Sequence, residues 1–365
     1  MAGAESALPD FPWDSLTPYG AKARSHPGGI IDLSVGTPVD PVAPEIQQAL
    51  ASVAEVPGYP ATHGTPELRA AIRDALERRH GAVGIEPDAV LPTIGSKELV
   101  ALLPQLLGAG RGDVVVIPEL AYPTYEVGAL LAGAEVRRAD GLTQLGPQQP
   151  ALLWLNSPSN PTGRVLGAAH LRKVVEWARE RGTVVASDEC YLALGWDSEP
   201  MSVLHPDVNG GSLDGLLAVH SLSKSANLAG YRAGFVTGDP ALVAALLAVR
   251  KHAGLIVPRP VQAAMTAALG ADDVLAAQRE KYAGRRDVLR KVLHAAGFRI
   301  DHSEAGLYLW VTRDEDAWHT VDWFAERGIL VAPGTFYGPG GGKHVRVGLT
   351  ATDERVREAV TRLDA

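Results

Sequence analysis

The chain has 365 residues, 46% of them hydrophobic and 21% charged, which suits a globular protein of about two domains. A net charge of −8 argues against a nucleic-acid or anionic-membrane partner, for which a basic face is expected. The single cysteine, Cys190, excludes an intrachain disulfide framework and fits a reducing cytosol. Met1 to Pro9 show neither a basic start nor an apolar core, so no secretory leader is read there. The longest uniformly apolar stretch, Ala241 to Val249, is far short of the roughly 20 residues that span a bilayer. A cytoplasmic location is expected.

The first forty residues are rich in proline and glycine and read as an extended arm with one short strand, Ile30 to Val35, ending at Gly36. Thr65-Pro66 then places a capping hydroxyl before a helix-starting proline, with Leu68, Ala71, Ile72, Ala75 and Leu76 at helical spacing. Gly95-Ser96-Lys97 opens an apolar helix running to Leu107. A glycine before a helix N-terminus leaves backbone N–H groups and the positive dipole end free for an anion, although a plain serine cap looks the same. Apolar strands then alternate with helices: Val114 to Ile117, a helix near Thr124 to Leu131, Ala151 to Leu155, a helix over Ala168 to Arg181, Val184 to Ser187, and Leu216 to Val219. Continuous apolar strands between helices predict a mostly parallel sheet covered on both faces, with ligands beyond the C-terminal strand ends. There the chain sets Asn156 and Asn160, then Asp188, then Lys224.

Beyond Gly234 the pattern becomes helical over Leu242 to Lys251 and Pro260 to Ala296, with a break near Gly270. Strands at Leu307 to Val311 and Val345 to Val347 and a final amphipathic helix complete a smaller α+β unit, and Gly338 to Gly342 reads as a flexible loop. The expected architecture is a three-layer α/β/α large domain plus a smaller α+β C-terminal domain. Its divisions are an arm with part of the small domain at 1–44, the large domain at 45–258 and the small domain at 259–365.

Lys224 organises this pattern. Its nearest charged neighbour in sequence is Arg232, eight residues on, and small weakly polar residues surround it. Such a lysine loses its proton readily, the state an amine needs to attack a carbonyl. The bland alternative is a loop lysine after a strand. Pyridoxal phosphate asks for an amine, a carboxylate at its ring nitrogen, donors to its phenolate oxygen and a phosphate cradle. Lys224 supplies the amine, Asp188 the carboxylate, Asn160 and Tyr191 the donors, and Ser96, Lys97, Ser221, Ser223 and Arg232 the cradle. His63, His220 and His344 show no metal-ligand spacing and read as polar packing, and no metal is expected. Cys190 reads as a small buried residue, since this chemistry needs no thiol.

Asn160-Pro161-Thr162-Gly163, Asp188-Glu189-Cys190-Tyr191, Ser221-Leu222-Ser223-Lys224 and Gly230-Tyr231-Arg232-Ala233-Gly234 resemble, in sequence and in separation, the signatures of the class I/II aminotransferases, fold-type I pyridoxal-phosphate enzymes. The resemblance implies that Tyr122 stacks on the cofactor ring, and that Tyr59 reaches the phosphate of a neighbouring subunit in a homodimer. It also implies that Arg346 clamps the substrate α-carboxylate while Gly36 closes over it. Lys97 departs from the small hydroxyl residue that many relatives carry, which puts its phosphate contact in question. Lys224 would anchor the cofactor and then move a proton as general acid/base. The arm motif from Leu33 and the stretch Val331 to Gly338 further resemble actinobacterial succinyldiaminopimelate aminotransferases. This implies N-succinyl-LL-2,6-diaminopimelate and 2-oxoglutarate as substrates, in lysine and cell-wall biosynthesis. An aspartate- or aromatic-type aminotransferase is the alternative, followed by a pyridoxal-phosphate lyase or decarboxylase. A regulatory module would normally carry a DNA-binding domain for which the arm has no room.

Overall fold

The computed structural model describes residues 8–364, so the first seven residues, where no leader is read, lie outside it. In chain order the strands are β1 (Ile31–Asp32), β2 (Val90–Ile94), β3 (Val114–Ile117), β4 (Glu135–Arg138), β5 (Leu152–Asn156), β6 (Val184–Asp188) and β7 (Leu216–Ser221). They continue with β8 (Ala233–Gly238), β9 (Arg299–Asp301), β10 (Tyr308–Thr312), β11 (Ile329–Leu330), β12 (Ala332–Pro333) and β13 (Val345–Gly348).

Seven of them form one sheet in the order β2-β8-β7-β6-β5-β3-β4. The run from β7 to β4 is parallel throughout, and β8 pairs antiparallel with both β7 and β2. Both faces of the sheet are apolar because successive residues of each strand point to opposite sides. Val116, Leu153, Leu155 and Val185 pack under the helices Pro66–His80, Ala168–Arg179 and Arg259–Gly270. Val115, Ile117, Leu152 and Trp154 pack under Gly95–Leu106, Thr124–Ala132 and Pro240–Ala253. The register sets Asn156 opposite Asp188, and Asp188 opposite Val219. Because β2 runs parallel to β7, the helix start at Gly95 reaches the same edge. Asn156, Asp188, Ser221 to Lys224 and Gly95 therefore meet at one end of the sheet.

A four-stranded sheet, β12-β13-β10-β9, and the pair β1-β11 build the second body of structure with the helices Asp272–Ala295, Ala317–Glu326 and Asp353–Leu363. The break expected near Gly270 falls at Ala271, between the two long helices.

Two expectations are corrected. The arm is not simply extended: a 3₁₀ turn at Pro12–Leu16 leads into a helix at Thr17–Arg24, and its strand shortens to β1. Proline at the second helical position is compatible with this start, and the helix packs on Ala317–Glu326. The glycine-rich stretch is an ordered turn, Pro339–Gly341, seated so closely on Gly334 that a β-carbon on Gly341 would overlap the Gly334 backbone.

Residues 33–41 leave β1 and cross toward the strand ends. The Leu33 carbonyl accepts from Gly348 N at 2.7 Å and the Val35 carbonyl from Thr350 Oγ1 at 2.9 Å. Asp40 receives both terminal nitrogens of Arg285, at 2.6 and 2.8 Å, and Gln278 Nε2 at 2.8 Å. Burial works against the Asp40 carboxylate, yet Arg285 and Gln278 outweigh it and hold its pKa below the usual range. Truncating one partner of such a pair strands the other's charge. Asp40→Ala is therefore expected to destabilise the protein by roughly 3 kcal/mol, read as a lower denaturant midpoint, with a larger loss than Asp353→Ala because Asp353 is mostly exposed.

Candidate active site

Lys224 stands in the short helical turn Leu222–Ser225 that follows β7. Its amine donates to the Gly36 carbonyl at 2.5 Å, so the arm crosses directly over it. Burial pushes the Lys224 pKa down; Tyr308 and Cys190 oppose that shift, and smaller contributions from Arg346 and Arg232 add to it. A neutral, nucleophilic amine is thereby favoured.

Asp188 ends β6, fully buried. Tyr125 Oη donates to its Oδ2 at 2.7 Å and the Cys190 backbone amide to its Oδ1 at 3.2 Å. Among the described residues no cationic side chain pairs with it. Burial raises its pKa, and the hydrogen bonds from Cys190 and Tyr125 pull back toward the ionised form. A buried anion of this kind is a receptor for a cationic or protonated partner. Tyr125 was not singled out from the sequence, where it reads as one more core aromatic of the helix Thr124–Ala132. Its place three residues after Tyr122 was the available signal.

Asn156 ties the strand ends together. Its Nδ2 donates to the Asp188 carbonyl at 3.0 Å, and its Oδ1 accepts from the Asn160 amide at 2.7 Å. Asn160 in turn offers Oδ1 to Arg346 Nη1 at 2.8 Å, which leaves its Nδ2 as a free donor. Arg346 on β13 is 2% exposed, donates from Nη2 to the Ser34 carbonyl at 2.6 Å, and keeps a buried Nε with no partner. Its guanidinium carbon lies 3.8 Å from the centre of the Tyr308 ring. Tyr191 meets the Tyr308 hydroxyl at 3.2 Å. Tyr122 packs edge to face on Tyr125 at 5.8 Å, and burial raises its pKa to about 12.

The anion cradle is set by two glycines. Gly95 has φ +70°, and a β-carbon there would overlap the Arg232 guanidinium. On Gly234 a β-carbon would lie 2.8 Å from the Gly95 carbonyl carbon and 2.9 Å from the Ser96 amide nitrogen. Only glycines let the helix start, β8 and Arg232 converge this closely. Arg232 itself adopts φ +57°, a conformation costly for a side-chain-bearing residue. It is fixed by its carbonyl accepting from Gly95 N at 2.7 Å and by Nη1 donating to the Ala229 carbonyl at 2.7 Å. Ser221 caps the Lys224 turn, its Oγ accepting from Ser223 N at 3.1 Å. With Ser96, Ser223 and the amides of the helix Gly95–Leu106, these groups suit a phosphate.

Two expected members stand apart. Lys97 is exposed, with its ammonium 5.7 Å from the centre of the Phe11 ring. Tyr59 is 99% exposed. The three histidines pack on polar neighbours: His63 Nε2 on the Asp88 carbonyl, His344 Nε2 on Asp301, and His220 stacked on Phe235 with Nε2 3.4 Å from Glu189. Burial pushes His220 down to about 3, which favours its neutral form, and Glu189 up to about 7.

A buried amine, a buried carboxylate lacking a cation among the described residues, and a glycine-lined helix start meet at one strand edge, and comparison with known proteins shows the family. The profile of the family "Aminotransferase class I and II" matches residues 29–363. The chain belongs to the class I and II aminotransferases. It is 66% identical over 361 residues to a probable aminotransferase, Rv1178, of Mycobacterium tuberculosis, covering 99% of this chain and 86% of that one. It is 56% identical over 356 residues to the 4-dedimethylamino-4-oxo-anhydrotetracycline transaminase OxyQ of Streptomyces rimosus, covering 98% and 99%. The structure of a probable N-succinyldiaminopimelate aminotransferase from Thermus thermophilus superposes with a TM-score of 0.86 at 29% identity, over 97% of this chain and 99% of that one. This aminotransferase therefore depends on pyridoxal phosphate, and the amine, carboxylate and glycine-lined cradle fit that group.

Tyr125→Phe removes the donor that steadies the Asp188 anion. The apoprotein should then bind pyridoxal phosphate about tenfold or more weakly in a fluorescence titration, since a hydrogen bond to a charged group is worth roughly 1.5–3 kcal/mol.

Proposed function

We propose that this aminotransferase carries its cofactor on Lys224 and exchanges amino groups between N-succinyl-LL-2,6-diaminopimelate and 2-oxoglutarate. The observation that carries the amino-acid reading is Arg346, a buried guanidinium with no carboxylate partner among the described residues, sharing Tyr308 with the Lys224 site. An unpaired buried cation is costly unless a ligand supplies the anion, and a planar guanidinium grips a carboxylate by two parallel hydrogen bonds.

Bound pyridoxal phosphate supplies an aldehyde that takes up an amino group and a ring that draws electrons from the adjoining carbon. In this reading the Asp188 carboxylate would hold the ring nitrogen and favour its protonated form. Asn160 and Tyr191 would donate to the phenolate oxygen, and Tyr122 would support the ring. Ser96, Ser221, Ser223 and Arg232 hold the phosphate, with Lys97 contributing its backbone at the helix start more readily than its exposed side chain. Arg346, Asn160 and Gly36 orient the substrate carboxylate. Lys224 Nζ, its pKa lowered by burial, would take the proton from the substrate Cα and hold it as an ammonium for delivery within the same site. The exposed Tyr59 completes the phosphate site of a second copy in a cytoplasmic homodimer.

The succinyl substrate is supported by the actinobacterial sequence features and by the likeness to the Thermus thermophilus structure. A second reading, a polycyclic ketone as amino acceptor, is favoured by the 56% identity to OxyQ. A panel of donors and acceptors, scored by loss of the visible cofactor band and by oxo-acid formation, separates them. N-succinyl-LL-2,6-diaminopimelate and glutamate should react fastest, ahead of aspartate and aromatic amino acids; an inert succinyl substrate beside a reactive anhydrotetracycline ketone would reverse the assignment. Lys224→Ala should lose about 10²-fold or more in rate, and Arg346→Lys should raise KM for amino acids about tenfold or more with a smaller effect on kcat.

A further inference from the structure

Tyr308 lies at the centre of this site, and the roles above leave it without a task. It opens β10 and is 5% exposed. Its hydroxyl lies 3.2 Å from that of Tyr191, the two rings meeting edge to face at 5.8 Å. On its ring face sits the Arg346 guanidinium. A β-carbon on Gly36 would overlap its hydroxyl, so a glycine is needed where the arm passes over the phenol to hold Lys224. A buried phenol requires a hydrogen-bond partner, and among the described residues the Tyr191 hydroxyl is the one it has.

We infer that Tyr308 is a positioning residue that acts through Tyr191: the Tyr308 hydroxyl donates to the Tyr191 oxygen, and Tyr191 donates onward to the phenolate oxygen of the cofactor. The inference rests on the placement of Tyr191 proposed above. A phenol has one hydrogen and two lone pairs, so once Tyr191 directs its hydrogen at the cofactor its oxygen can only accept. A donor that is itself accepting becomes polarised and donates more strongly.

The surroundings select that direction. Burial alone would raise the Tyr308 pKa, but Arg346 on β13, then Lys224 after β7 and the hydrogen bond with Tyr191, outweigh it and bring the group below its ordinary value. Tyr191 shifts the opposite way, raised by burial first and then by Tyr308. The remaining groups that face the pair are Cys190 beside Tyr191, Tyr122 ahead of the helix Thr124–Ala132, Tyr282 on Asp272–Ala295 and Tyr337 in the turn after β12. None of these is a carboxylate, so the Arg346 guanidinium on its ring face sets the field at Tyr308. A phenol with a guanidinium against its ring is the more acidic of the two and the better donor, which makes Tyr308 the start of the chain.

Negative charge stabilised on the phenolate oxygen eases proton loss from the neighbouring lysine-bound nitrogen. Weakening the chain should hold that proton to higher pH. The test compares wild type, Tyr308→Phe, Tyr191→Phe and the double variant, each loaded with pyridoxal phosphate, by the pH midpoint of the visible band. Tyr308→Phe keeps the ring beneath Arg346. It should raise the midpoint by about 0.3–1 pH unit, and Tyr191→Phe should raise it further. In the double variant the midpoint should equal that of Tyr191→Phe alone, because an effect relayed through Tyr191 disappears with it. In the apoproteins, the earliest phenol to ionise by near-ultraviolet absorbance should be absent from Tyr308→Phe. An unchanged midpoint in Tyr308→Phe, or shifts that add in the double variant, would overturn the relay while leaving Lys224 as the cofactor's anchor. A wild-type protein that develops no visible band would overturn that anchor and the relay together.

Discussion

Asp188 is a carboxylate held in a fully buried position by a phenol and a backbone amide, with no side-chain cation to balance it among the described residues. Isolated charge is expensive in such surroundings, so the site around it is incomplete without a positive partner. The sheet fixes where that partner must sit. Because β5 and β6 pair in register, Asn156 lies beside Asp188 and binds its carbonyl, and the same amide side chain positions Asn160. One strand register thus sets the carboxylate, the Asn160 donor and, through Asn160, the orientation of Arg346.

The opposite charges are kept apart. Lys224 and Arg346 lie on the side of the arm, where Lys224 donates to the Gly36 carbonyl and Arg346 to the Ser34 carbonyl and onto the Tyr308 ring, with no acid between them. A lysine that finds a carbonyl but no carboxylate stays easy to deprotonate, and an arginine that finds no carboxylate stays ready for one. The Asp40–Arg285 pair bears the electrostatic load of anchoring the arm a few residues away, outside this pair of cations. Backbone strain at Arg232 and the close packing of Gly95 and Gly234 belong to the same arrangement, since they bring a guanidinium and a helix N-terminus to one point.

Much of this is legible in the chain itself. The central strands β3, β5, β6 and β7 are short apolar runs between helical segments, and the polar residues that break each run mark the site edge. Strands at and near the sheet margins are harder to read. Pro92 interrupts β2, an edge strand where a missing N–H is tolerated; β4 carries Glu135, Arg137 and Arg138; and β8 contains Gly234 and Gly238. The helix at Thr17–Arg24 hides behind Pro18 and Gly20, and its packing on Ala317–Glu326 is a contact between the two ends of the chain. Among site residues, those with unusual chemistry for their position stand out, Lys224 above all. Tyr125 and Tyr308 do not, because a tyrosine in an apolar segment looks like core until its hydroxyl partner is known. Those partners, Asp188 and Tyr191, come from other strand ends.

The proposed chemistry depends on covalent attachment of the cofactor at Lys224. Protein loaded with pyridoxal phosphate, reduced with borohydride and digested, can be mapped by mass spectrometry for the lysine that carries the reduced cofactor. The modification should fall on the peptide containing Lys224 and be absent there when the site is blocked by prior substrate conversion. A label found instead on Lys97 or another surface lysine, with Lys224 unmodified, would contradict the arrangement described.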